Sequence, residues 1–377
     1  VGKEVLKFGT TTITKTVTSN VVLTFDGPDG DYTNYVYVTD PSGNVNTTTD
    51  VSVTVDNTRP IVSSIDVPVI KEDGVATVIG SGFSSGSPIA SVKIDGATTY
   101  VKSFSAISDL NIQVVGNSGD KAYTAVTVTD EASNVSAATT IKLEVDNTAP
   151  SITGIDNNNM SGTQTIGMTG HIFYITGNGG FTNTNVSSST YPPTITIGGN
   201  TLAQLNATLS SIADGELRVT AGSGEVSAGP VIVTDIAGNS TTAGNTISID
   251  NTKPVVTSVE TRYITKNATS EVIGTGFNDD GGKIADTGNG AITLNTSDLI
   301  DVLGGTWASI NDPGTTLTIT AAGNGECTDC PVYVTDYVGN KSVATDKLLT
   351  IDKTLPVVNG LTKSANTAGA SNQGILK

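Results

Sequence analysis

The chain has 377 residues, only 15% of them charged, and a formal net charge of −17. So acidic a surface repels nucleic acid phosphates and anionic lipid heads, and no 18-residue apolar run exists to cross a membrane as a helix. Long Leu/Ala/Glu/Lys stretches are absent while Val, Ile, Thr, Asn and 42 glycines abound, a mix that packs pleated strands joined by tight turns, so the expected class is all-β.

In chain order, Lys7–Ile13 comes first and resembles Lys93–Tyr100, a segment that lies in the middle of a later repeat. There follow an apolar strand, Val22–Phe25, a glycine-rich acidic turn, Gly27–Asp31, and a second strand, Tyr35–Thr39. The turn phrase Val38-Thr39-Asp40 to Asn44 comes next, and then Val51, Val53 and Val55 alternate into the junction Val55-Asp56-Asn57-Thr58-Arg59-Pro60. The same order returns three times. The apolar strands Ile112–Val115, Leu217–Thr220 and Leu317–Thr320 each precede a glycine-rich acidic turn and a second strand, and each pair reads as a hairpin. The turn phrase recurs at Val128–Asn134, Val233–Asn239 and Val334–Asn340, and the junction at Val145–Pro150, Ile249–Pro254 and Ile351–Pro356.

Junction aspartates Asp56, Asp146, Asp250 and Asp352 are spaced 90, 104 and 102 residues apart, which is the length of one small domain. After each of the first three junction prolines come a strand and then a glycine-rich strand ending in phenylalanine, at Phe83, Phe181 and Phe277. About seven short strands per repeat describe immunoglobulin-like β-sandwiches in tandem, without the Cys–Trp–Cys core of antibody domains. The expected modules are residues 57–146, 147–250 and 251–352. Residues 1–56 read as a partial module lacking its first strands, and 353–377 as the first strands of a further one. Residues 1–56 and 357–377 together number 77, close to one module, so one sandwich is read as split between the two ends. Val357, Val358, Leu361, Ile375 and Leu376 would then form an assembly strand that completes the head of the next copy, giving a head-to-tail filament. The competing reading is a cut from a longer continuous array.

The turn phrase has two open readings. Asp and Asn bond their own backbone and Gly supplies positive φ, which is a turn. Alternatively the oxygens of Asp40, Asn44, Asp130, Asn134, Asp235, Asn239, Asp336 and Asn340 join those of Asp56, Asn57, Asp146, Asn147, Asp250, Asn251 and Asp352 to hold calcium at the joints. Asp66, Asp156 and Glu260, six residues after their junction prolines, would add to such sites, whereas Lys353 and Thr362 depart from the pattern at the last one. The prolines and the lack of flexible Gly/Ser runs make each linker short and stiff, so the array is expected to be a semi-rigid rod.

Cys327 and Cys330 are the two cysteines, spaced too locally for zinc with no further ligand nearby, and the Gly325–Pro331 segment reads as a hairpin turn stapled by a disulfide or carrying free thiols. The single histidine, His171, has no evident catalytic partner, modules this small leave little room for an active site, and no enzyme is expected. Sequons occur at Asn46, Asn134, Asn159, Asn185, Asn206, Asn239, Asn267, Asn295 and Asn340, as glycosylation candidates in an exported chain.

The pairing of V-T-D-x-A-G-N with V-D-N-T-x-P resembles the Ig-like repeats of bacterial adhesins, biofilm-associated proteins and S-layer-type surface proteins, and V-I-G-x-G-F is similar to IPT/TIG modules. The resemblance covers essentially the whole chain. It implies an extracellular, cell-surface stalk, adhesin or filament, with calcium often stiffening the joints. Its partners would be further copies of the chain, other surface proteins or carbohydrate. A weaker alternative is an accessory array of a secreted polysaccharide-degrading enzyme.

Overall fold

A computed structural model of the chain describes residues 2–8, 11–17, 28–33, 36–39, 42–48, 52–84, 88–157, 166–277, 292–294, 297–298, 306–310, 315–321, 325–336, 338–343 and 346–360. The predicted strand Val22–Phe25, and with it Asp40, Asn159, Asn295, Leu361, Thr362, Ile375 and Leu376, lie outside these residues. Every regular element among them is a β-strand, and the protein is all-β, a series of Ig-like sandwiches.

In the second module one sheet has the strand order Val101–Ser108, Asn111–Gly116, Val75–Ser81, Ile61–Ile65. The facing sheet has the order Ile89–Ile94, Lys121–Asp130, Lys142–Val145, Val69–Ile70. All pairings are antiparallel except the last, in which Val69 and Ile70 run parallel to Glu144 and Val145. The chain therefore enters along one sheet and crosses to the other within ten residues, as the first strand of an Ig-like sandwich does. The third and fourth modules repeat this order and add a short strand, Asn200–Thr201 and Ser297–Asp298, beside Thr194–Ile197 and Ile292–Leu294.

Alternation builds three separate cores. In the second module Ala76 and Val78, Ile112 and Val114, Val126 and Val128, and Leu143 and Val145 are all fully buried. The third and fourth modules bury the matching residues around Phe181 and Phe277. Each valine, isoleucine and leucine among these withdraws apolar surface worth roughly 1.5–3 kcal/mol.

In the second, third and fourth modules the strand pairs expected as hairpins are not hairpins. Ile112–Val115 pairs with Val75–Ile79 in one sheet, while the strand that follows it belongs to the other. Ile112 and Val114 therefore face Val126 and Val128 across the core instead of lying beside them. The glycine-rich turn spans the thickness of the sandwich, and Gly116 is there because a Cβ would stand 2.4 Å from the Lys71 carbonyl oxygen.

The Cys327–Cys330 segment also differs from the expected turn. The two residues form a disulfide at the start of the strand Cys327–Val334, across an irregularity in its pairing with Leu348–Ile351. The same irregularity recurs without cysteines at Lys121–Thr124 and Val226–Gly229. The disulfide thus staples a bulge that the second and third modules form without cysteines, and Ala228 in the third module and Asp329 in the fourth share a positive φ there.

Candidate functional site at the module joints

The two halves of the repeated phrase meet, but not within one module. Three turn asparagines, Asn134, Asn239 and Asn340, reach back to the junction that precedes their own module. Asn134 Nδ2 donates to the carbonyl oxygen of Asp56 at 2.7 Å, Asn239 Nδ2 to that of Asp146 at 2.9 Å, and Asn340 Nδ2 to that of Asp250 at 3.0 Å. The same amide nitrogens donate to their turn aspartates, to Asp130 at 3.0 Å, Asp235 at 3.1 Å and Asp336 at 2.8 Å. The other oxygen of each carboxylate accepts the asparagine's backbone N–H at 2.8–2.9 Å. A five-residue loop closed in this way holds the amide in one orientation. Its two N–H groups bridge a carboxylate of one module and a backbone carbonyl of the previous one.

The junction tripeptide divides its bonds between neighbours. The Asp offers its carbonyl forward, while its carboxylate accepts the N–H of the threonine two residues on, at 2.9 Å in all four copies. This local Asx geometry sets the bend before the proline. The following Asn anchors the outgoing linker to its own module: Asn147 Oδ1 accepts from Glu72 N, and Asn251 Oδ1 from Thr169 N. The threonine hydroxyls donate to an acidic residue of each glycine-rich turn, namely Asp29, Asp120, Glu225 and Glu326. The glycine-rich acidic turn and the D-N-T triplet are therefore partners, a link that their separation of 27–29 residues does not reveal.

Burial sets the electrostatics. Asp336, Asn340, Asp235 and Asp250 are almost wholly withdrawn from solvent. Burial raises the carboxyl pKa of Asp235, Asp336 and Asp146 above the ordinary range, opposed at Asp235 and Asp336 by the asparagine bonds and reinforced at Asp235 by the Asp146 charge. A folded pKa above the unfolded one means the fold favours the protonated form. Stability contributed by these groups therefore rises as pH falls through the folded pKa and levels off below the unfolded value. Asp336→Asn, which keeps the shape without the charge, is expected to flatten the mildly acidic limb of a melting-temperature-against-pH profile.

Several candidates lie elsewhere. Asp66 accepts the backbone N–H groups of Val67 and Thr77, Asp156 that of Asn157, and Glu260 the hydroxyl of Ser258, so all three bond inside their own modules. Among the described residues no three His, Cys, Asp or Glu side chains converge as a metal-binding group. His171 is half-buried, and burial lowers its pKa; its Nδ1 has no hydrogen-bond partner among the described residues. Of the sequon asparagines, Asn134, Asn239 and Asn340 are committed to the joints, whereas Asn206 and Asn267 are exposed at positive φ. Asn185 Nδ2 donates to Glu144 of the preceding module at 3.2 Å.

No protein-family model matches the chain, and no curated protein matches it. Similar solved structures include the surface glycan-binding protein PbSGBP-B from Prevotella bryantii, at 14% identity over 78% of this chain and 85% of that one, with a TM-score of 0.24. A structure described as with xylogluco-oligosaccharide is similar at 14% identity and a TM-score of 0.26, over 78% of this chain and 60% of that one. The I9–I11 tandem from titin matches at 10% identity over 79% of this chain and 98% of that one, with a TM-score of 0.25. The Ig-like assignment itself rests on the strand order and the parallel pairing described above.

Proposed function

We propose that the chain is an extracellular structural protein, a rod of tandem Ig-like modules whose relative orientation is held by the turn asparagines. The observation that carries this reading is the bond from Asn134, Asn239 and Asn340 to the preceding junction carbonyl, repeated at three successive joints. A flexible tether has no use for a doubly bonded amide at three successive boundaries, whereas a spacer that must keep its length and direction does. The test is electron microscopy of the purified protein with and without EDTA. Straight rods in both conditions fit joints held by amides. Rods that bend only in EDTA would assign the stiffness to calcium, and bent chains in both would overturn the rod.

A second step, assembly of such rods head to tail into a surface filament, is favoured by the segment after the fourth junction. Val62 and Val256, each the second residue after a junction proline, are 8% and 7% exposed because their strand pairs within a sandwich. Val358 holds the same position and is 68% exposed, with Val357 at 78% and Leu355 at 82%. An apolar strand sequence standing in solvent is a template for pairing with another sandwich. Val358→Asp is expected to abolish filaments in micrographs while leaving the melting temperature of the rod unchanged; filaments of normal length from this variant would sink the assembly step.

A further inference from the structure

Across each of the two later joints a second contact accompanies the asparagine bond, made by the residue that follows the short parallel strand of the upstream module. Lys71 follows Val69–Ile70, and Met168 follows Ile166–Gly167. Lys71 Nζ donates to the carbonyl oxygen of Gly238, in the turn of the third module, at 2.6 Å. Its aliphatic stem lies over the same glycine, 3.6–3.9 Å from where a Cβ would stand. Met168 Sδ occupies the matching place one joint further on, 3.5 Å from an ideal Cβ on Gly339 of the fourth module. Both glycines have positive φ, 93° and 107°, so the turn offers the upstream residue a bare backbone surface.

We infer that this position tunes the stiffness of each joint, and that the joint between the second and third modules is the stiffer of the two. A lysine supplies a charge-assisted bond, stronger than a neutral one. A thioether supplies only adaptable packing. The stiffer joint also carries the Asn185–Glu144 contact. The inference rests on the rod reading and deepens it: the array is then a rod with an inbuilt gradient of stiffness, set by one side chain per joint.

The test uses the full chain, with pairs of spin labels on unnatural amino acids at exposed positions, since the native cysteines are joined to each other. One pair, at Ser105 and Thr208, spans the second and third modules; the other, at Thr208 and Thr257, spans the third and fourth. In the unsubstituted chain the first pair is expected to give the narrower distance distribution. Lys71→Met keeps the stem and removes the bond, and it should widen the first distribution to about the width of the second while leaving the second alone. Met168→Lys should narrow the second. If the unsubstituted joints are both narrow and Lys71→Met changes nothing, this inference fails and the rod stands. If both are broad in the unsubstituted chain, the rod reading fails and takes this inference with it.

Discussion

Replacing Gly274 by alanine is expected to destabilise the fourth module strongly. A Cβ at this position would stand 2.0 Å from the carbonyl oxygen of Val255 and 2.5 Å from Cζ of Phe277. Neither neighbour can yield cheaply. Val255 is the first residue after the junction proline, in a strand paired with Thr275, and Phe277 is wholly buried in the core. Overpacking of this kind costs ~1–3 kcal/mol and more where backbone must move, out of a total of ~5–15 kcal/mol for a small domain. Thermal unfolding is expected to show the transition of the fourth module lowered by ~4–8 °C for each kcal/mol lost. Gly80 and Gly177 face the same geometry, at 1.8 and 1.9 Å from the carbonyls of Ile61 and Ser151, and their alanine variants should behave alike in their own modules. Gly244→Ala is the control: nothing lies within 4 Å of its Cβ, and its melting temperature should be unchanged or slightly raised. A Gly274→Ala protein that melts like the control would refute the close strand approach.

The second large effect is expected from Asn340→Ala. The substitution removes one donor from the Asp250 carbonyl and another from the Asp336 carboxylate, in a setting almost closed to water. Leaving buried acceptors without a donor costs ~1–3 kcal/mol each. The loss should appear in two readouts, a lower transition for the fourth module and a wider spread of angles between it and the third module in micrographs. Asn134→Ala should cost less stability, because Asn134 is only part-buried. Equal effects at both positions would show that burial does not set the strength of the latch.

Much of this was legible in the chain itself. Strand positions follow from alternation, as with Val126 and Val128 or Ile247 and Ile249, because a side-chain period of two is a local property of extended backbone. The glycine-rich acidic turns, the D-N-T-x-P junctions and the V-I-G-x-G-F strands were visible as repeats. What local pattern does not encode is which strands become neighbours. Ile112–Val115 and the strand after it carry the same alternation whether they lie side by side or face one another across a core, and the sequence suggested the wrong choice.

The joint shows the same division. That Asp and Asn four residues apart make a turn is written in Asp130–Asn134, since both partners lie within one loop. That the amide left over from this turn binds Asp56, 78 residues earlier, is not, because the partner is a backbone carbonyl, and every residue carries one. By itself the sequence determined the fold class and the Asp-to-Asn turns, properties of short-range backbone and side-chain chemistry. Only the tertiary structure decided how the modules are joined, because that rests on a hydrogen bond whose acceptor has no signature of its own and is chosen when two sandwiches pack end to end.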